Sequence, residues 1–256
     1  MRCFYLLALA AASVFAQLPA FNEAGVAPGH VHLMVKDPDV HTKLFKDVLG
    51  ATETASGTLK MLKLPGIYII MFKGEPTGPS TGSTVDHIGF AVQDLAAFKT
   101  KLDAASLQLV QNQFVMLPDG VRLEILEDKA IKEPVMFHHM HLFVGDTEPL
   151  RQWYVKMFGG VPGSRRNGAV PSANFTAGEV DFLKSQTPTV ATKGRAIDHI
   201  GFDVKDLDGL MKKLTAEGVQ VETQPRDMRQ QIGLKIAFVL DPAGTRIELT
   251  EGLTGK

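Results

Sequence analysis

The 256-residue chain has almost no sulfur chemistry available to it, because its single cysteine, Cys3, lies at the extreme N-terminus. Disulfide staples, thiolate metal sites and cysteine nucleophiles are excluded for the rest of the chain, so any metal must be held by His, Asp or Glu. An excess of either charge is lacking too. With 27 Lys and Arg against 28 Asp and Glu, the formal net charge is −1. Nothing electrostatic therefore points to nucleic acid or an anionic membrane as a partner. Long apolar runs are also missing: no stretch approaches the roughly 20 residues of a membrane span. The short apolar segment from Phe4 to Ala12 follows Met1 and Arg2 and precedes Val14-Phe15-Ala16. That pattern reads as a secretory signal over 1–16, cleaved before Gln17. Export to the periplasm or the medium is expected, with no membrane attachment after cleavage. An exported protein without disulfides must fold on its core alone, and a chain of this length can bury enough surface to do so.

What the sequence does contain is repetition. Asp86-His87-Ile88-Gly89-Phe90-Ala91-Val92-Gln93-Asp94-Leu95 recurs as Asp198-His199-Ile200-Gly201-Phe202-Asp203-Val204-Lys205-Asp206-Leu207, with eight of ten positions identical. His30-Val31-His32-Leu33-Met34-Val35 recurs as His139-Met140-His141-Leu142-Phe143-Val144. The two offsets, 112 and 109 residues, agree closely enough to mark a duplication. Each half is itself a pair. In four segments a His is followed five residues later by Val and seven later by Asp: His30/Val35/Asp37, His87/Val92/Asp94, His139/Val144/Asp146 and His199/Val204/Asp206.

In every copy the first, third and fifth residues after the His are apolar, an alternation that predicts a strand with one greasy face and the His on the other. The Asp predicts a helix N-cap, with Pro38 at the first helical position of the first copy. Helices are expected to end near Gly50, Ala105, Gly159 and Gly218. Short strands and a turn follow each helix. Counting four residues past the turn glycines reaches Ile70, Glu124, Phe182 and Glu248. The expected fold is α+β, with four βαβββ modules in tandem. Two modules fall in 28–130 and two in 135–254, joined by a Gly/Pro/Ser/Thr-rich linker between modules one and two at 75–84. The second half carries about a dozen extra residues, since Glu124 lies 37 residues after His87 but Glu248 lies 49 after His199. They are expected around Thr223 to Gly233 as a longer hairpin over the cup.

Within each half, two histidines and one glutamate fall at equivalent strand positions: His30, His87 and Glu124, then His139, His199 and Glu248. Imidazole and carboxylate from three strands can occupy one face of a divalent ion and leave other positions open. Fe2+, Zn2+, Mn2+, Ni2+ and Co2+ all accept such a set. His32 and His141, two residues beyond the first ligand on the same face, are candidates for acid/base work, substrate contact or ligation in place of His30 and His139. Asp203 is a candidate to orient a ligand imidazole. Arg122 and Arg246, each two residues before a Glu, could neutralise a substrate anion or close a salt bridge at the mouth. Trp153 and Tyr154 read as core, and no role is expected of His41 or His138.

At this point the chain resembles the vicinal-oxygen-chelate superfamily, which includes glyoxalase I, extradiol dioxygenases and bleomycin-binding proteins. The resemblance covers roughly Pro28 to Leu253. It implies paired βαβββ modules with cup-shaped mixed sheets, and a metal held by the first-strand His of each module and a last-strand Glu. Those positions are His30/His87/Glu124 and His139/His199/Glu248. Resemblance to glyoxalase I further implies a fourth ligand, yet the matching positions are Ile70 and Phe182, with Asp181 one residue away. Resemblance to the extradiol enzymes implies a Tyr where Phe238 stands, and a separate catalytic His. The expected function is a metal-dependent enzyme, a lyase, isomerase or Fe2+ dioxygenase, acting on a small oxygen-bearing substrate. A small-molecule-sequestering protein is the alternative. A homodimer is compatible with either.

Overall fold

The structure is a computed structural model that describes residues 19–254 and 256. The expected signal at 1–16 lies outside the described residues. The four modules are all present. The first comprises β1 (Val26–Val35), α1 (Pro38–Leu49), β2 (Thr52–Ser56), β3 (Leu59–Leu64) and β4 (Ile67–Lys73). The second comprises β5 (Val85–Val92), α2 (Leu95–Ala104), β6 (Leu109–Val110), β7 (Phe114–Met116) and β8 (Arg122–Glu127). In the third are β9 (Val135–Val144), α3 (Thr147–Phe158), β10 (Val161–Arg165), β11 (Val170–Asn174) and β12 (Glu179–Lys184). The fourth contains β13 (Ile197–Val204), α4 (Leu207–Ala216), β14 (Gln220–Asp227), α5 (Arg229–Ile232), β15 (Lys235–Leu240) and β16 (Arg246–Glu251). None of the described helices is long and apolar enough to cross a membrane.

The local signals act as their chemistry dictates. Asp37, Asp94 and Asp206 accept hydrogen bonds from the first-turn amides of Asp39, Ala97 and Gly209. Asp146 occupies the same position without a side-chain cap bond. Gly50 and Gly159 end α1 and α3 in the left-handed conformation that glycine adopts without steric cost. The alternating apolar residues of β1, β5, β9 and β13 all lie in one continuous core with Phe45, Phe98, Leu150, Tyr154 and Leu214 of the helices. Complete burial of each such branched or aromatic side chain contributes about 1.5–3 kcal/mol. Tyr154 is among them, its hydroxyl donating to Asp241 at 3.0 Å. Its neighbour Trp153 packs half-buried against the same core.

The sheets do not follow the two halves of the sequence. One eight-stranded sheet runs β14-β15-β16-β13-β1-β4-β3-β2, joining module four to module one. The other runs β10-β11-β12-β9-β5-β8-β7-β6, joining module three to module two. The segments 28–130 and 135–254 thus hold two modules each, but each cup takes one module from each half. Two connections make this route. Residues 75–84, expected as a linker, pack against 190–196: Thr84 N donates to Val190 O, and Arg195 donates to the carbonyls of Pro79 and Thr81. Both cups are complete within one chain.

The extra residues of module four do form a longer excursion. Gln231 of α5 accepts from Thr58 N at 2.9 Å, and Ile232 accepts from Ser56 Oγ at 2.5 Å. These contacts tie α5, which follows β14, to the β2–β3 turn, and so join the two ends of the first sheet.

Candidate metal centres

The central strand pair of each sheet builds the site. In the first sheet β1 runs antiparallel to β13, with His30 opposite Gly201 and His32 opposite His199. In the second, β9 runs antiparallel to β5, with His139 opposite Gly89 and His141 opposite His87. The last strand of one module then sets its glutamate beside the glycine, Glu248 next to Gly201 and Glu124 next to Gly89.

Two four-residue clusters result. His30, His32, His199 and Glu248 form one; His87, His139, His141 and Glu124 form the other. All eight residues are buried, and in each cluster one potential ligand atom per residue lies within 4.8 Å of the others. In the first cup Glu248 Oε2 is 2.9 Å from both His30 Nε2 and His199 Nε2. In the second, Glu124 Oε2 is 2.9 Å from His139 Nε2 and 3.1 Å from His87 Nε2. The six expected ligands are therefore brought together, but the expected grouping is corrected. His30 meets His199 and Glu248, while His139 meets His87 and Glu124, because the sheets cross the halves. His32 and His141 join the clusters rather than standing outside them, with Nδ1 3.1 Å from the Nε2 of His199 and His87.

Two features that the sequence reading passed over hold the imidazoles in place. The first is a β-bulge. Register jumps from Leu33↔Ile197 to His32↔His199, and from Val85↔Leu142 to His87↔His141. Asp198 and Asp86 are thus the extra residues on their strands, and a bulge breaks strict alternation of faces. Their carboxylates reach the neighbouring imidazole, 2.5 Å from His199 Nδ1 and 2.7 Å from His87 Nδ1. A carboxylate on Nδ1 fixes the tautomer and aims Nε2 at the cluster. Arg246 and Arg122 donate to those same aspartates at 2.8 and 2.7 Å. They also lie over Phe238 and Phe114, whose rings make T-shaped contacts with those of His199 and His87. Of the two roles expected of these arginines, the contacts formed are salt bridges, each to the aspartate beside a cluster histidine. A further bulge at His138 brings its Nδ1 within 3.0 Å of His139 Nδ1.

The second feature is glycine. A Cβ on Gly201 would fall 2.1 Å from His30 Cε1, and one on Gly89 would fall 2.0 Å from His139 Cε1. Each ligand ring lies flat over the opposite strand, where only glycine leaves room.

Burial and hydrogen bonding oppose each other at both glutamates. Burial raises Glu248 and Glu124, but hydrogen bonds and charge from their two histidines outweigh it and hold both well below the ordinary carboxylate range. Burial lowers His32 far below its usual value and brings His141 down to about 3, so both are neutral imidazoles at physiological pH. The buried atoms His30 Nδ1, His32 Nε2 and His141 Nε2 have no hydrogen-bond partner, although buried polar atoms normally do. The neutral imidazoles of His32 and His141, an ionised carboxylate and orphaned ring nitrogens belong to a donor set that fits a divalent ion.

Asp203 plays no part in this. Its two carboxylate oxygens accept from Leu253 N, Thr254 N and the hydroxyls of Thr250 and Thr254, tying the C-terminal segment down. The turn alignment is corrected too. Asp181 registers beside His141, and Ile70 beside His32, in parallel strand pairs that keep them on the same face. Asp181 therefore stands on the cup face, while Phe182 packs in the core against Tyr154.

The interiors of the two cups differ. Around the first, Met61, Tyr68, Ile70, Leu234 and Leu253 form a separate apolar cluster. The second holds charge: Arg165 pairs with Asp181 and, at 3.0 Å, with Glu179, and Arg166 contacts Glu124 at 2.9 Å. Burial and the adjacent Glu179 push Asp181 up to about 7 despite Arg165.

Glyoxalase I from Zea mays shares this fold, with a TM-score of 0.69 at 16% identity over 89% of this chain and 92% of that one. A Bacillus subtilis protein provisionally described as a dioxygenase gives a TM-score of 0.64 at 14% identity, over 93% of this chain and 86% of that one. Likeness at such identities establishes the fold and leaves the reaction open. Comparison with curated protein sequences gives no match. The sequence model of one family does match, over residues 136–249, which carry His139, His141, His199 and Glu248. That model is of the Glyoxalase/Bleomycin resistance protein/Dioxygenase superfamily, so residues 136–249 are similar in sequence to its members, and over most of the chain the likeness to the solved structures is one of fold.

Proposed function

We propose that the protein is a metal-dependent enzyme, exported as the chain from Gln17, that acts on a small substrate with adjacent oxygen atoms. The observation that carries this reading is the pair of buried, convergent clusters of three imidazoles and one carboxylate at equivalent positions of two cups. His30, His32, His199 and Glu248 would hold one divalent ion, and His87, His139, His141 and Glu124 a second. Such an ion supplies Lewis acidity to a chelated oxygen and acidifies a bound water. The chain's own residues do the rest. Asp198 and Asp86, held by Arg246 and Arg122, keep the Nε2 atoms of His199 and His87 aimed inward. The apolar wall of the first cup excludes water from its cluster, which strengthens every charge interaction there. Both sites are self-sufficient, so a homodimer is not needed to complete them.

The test is elemental analysis of the chain from Gln17, prepared without oxygen, beside Glu124→Ala and Glu248→Ala variants. Two ions per chain, one lost with each substitution, is the expected result for two clusters. Iron in the preparation would direct substrate screening to O2-dependent ring or bond cleavage, and zinc, nickel or cobalt to isomerisation and lyase chemistry. Protein that holds no metal and resists reconstitution with all five candidate ions would overturn the enzyme reading in favour of small-molecule sequestration.

A further inference from the structure

The two clusters match residue for residue, but their surroundings do not. In the second cup the β10–β11 turn delivers two guanidinium groups onto the ligand set. Arg166 Nη2 lies 2.9 Å from Glu124 Oε1. Arg165 Nη2 lies 3.4 Å from His139 Nε2 and 4.0 Å from Glu124 Oε2. Glu124 Oε2 and His139 Nε2 are the atoms that face the cluster, and Arg166 holds the other oxygen of the same carboxylate. The turn that presents them places Arg166 and Asn167 at φ of 51° and 56°, a left-handed conformation that costs non-glycine residues energy. Arg165 is further anchored by Glu179 and Asp181. In the first cup the matching β2–β3 turn is Ser56-Gly57-Thr58, which carries no charge and is bonded to Gln231 and Ile232. Among the described residues Glu248 has only His30 and His199 as ion partners.

We propose that Arg165 and Arg166 are a resident cation of the second cup, so that a divalent ion enters there only by displacing them from Glu124 and His139. The first cup has no such competitor. The inference rests on the metal-binding reading above and adds that the two cups load unequally, the first before the second. A guanidinium makes charge-assisted hydrogen bonds to a carboxylate and cannot lose its proton. It therefore competes with a metal ion at every accessible pH.

The experiment is titration of the metal-free full chain with Co2+, followed by calorimetry and by visible absorption of the bound ion. Two classes of site are expected, the weaker by about tenfold or more. Glu248→Gln should remove the tight class and Glu124→Gln the weak one. Arg166→Gln, on a half-exposed side chain, should tighten the weak class by about tenfold and leave the tight class unchanged. The double variant Arg165→Gln/Asp181→Asn, which removes the guanidinium together with the buried carboxyl group it pairs with, should act in the same direction. Equal affinities in the unmodified chain, or a weak class that neither variant tightens, would overturn the competition while leaving metal binding intact. No Co2+ uptake in either cup would overturn both this inference and the function on which it rests.

Discussion

Replacing Gly201 with alanine adds one methyl group at the point where the His30 ring crosses β13. That Cβ would lie 2.1 Å from His30 Cε1, 2.3 Å from Nδ1 and 2.5 Å from Nε2. To restore ordinary contact at 3.4 Å the ring must retreat by about 1.3 Å. His30 is fully buried, so the space is not there without moving its neighbours. Overpacking of this kind costs about 1–3 kcal/mol of stability. The larger effect falls on the cluster. A metal–imidazole bond of about 2.0–2.1 Å does not survive a displacement of that size, so His30 is lost as a ligand to the first cup. Affinity there should fall by about a hundredfold or more, equivalent to about 2.8 kcal/mol. The second cup should bind as before, and Gly89→Ala should give the mirror result through His139. The assay is Co2+ titration of both variants, with circular dichroism and thermal melting to show that the fold persists. If Gly201→Ala bound two ions with unchanged affinity, the ring would have another place to go, and the argument that glycine makes room for the ligand would be wrong.

Three other substitutions test separate links. Asp198→Asn keeps the shape of the bulge but lets the amide present a donor to His199 Nδ1; metal affinity of the first cup should drop about 10–100-fold, read by calorimetry, with the second cup unaffected. Asp203→Ala should leave both metal sites intact and lower stability by about 2–4 kcal/mol in denaturant unfolding, because the bonds to Leu253, Thr250 and Thr254 are lost; a fall in metal affinity instead would restore it as an imidazole-orienting group. Asp181 supplies the pH prediction. Its folded-state value of about 7 lies above the ordinary 3.8, so its contribution to stability is complete below about 4 and is lost as pH rises through 7. Between pH 5 and pH 8 the melting temperature of the metal-free chain should fall relative to that of Asp181→Asn, which has no proton to release; parallel curves for the two proteins would rule this out.

Much of the molecule was legible in one dimension. Alternation after His30, His87, His139 and His199 marked four strands and their buried faces, and the Asp seven residues on marked four helix starts, because strand and helix periodicity are local properties of the backbone. The six candidate ligands followed from repetition of those strands. Asp86, Asp198, Gly89 and Gly201 were also visible, inside the repeated Asp-His-x-Gly-Phe block, but their roles were not. A bulge violates the two-residue period from which faces are read, and a glycine's importance lies in what crosses it. Tertiary structure alone decided which histidines meet in one cluster. Every module offers the same edge strand, so pairing one with two or one with four satisfies the same local pattern. The choice is made by how the connections at 75–84 and 185–196 pack against each other and which strands they bring side by side. The arginines of the second cup belong to the same class of fact: Arg165 and Arg166 are ordinary turn residues in the sequence, and become ligands' partners only where β10 and β11 bend over the sheet.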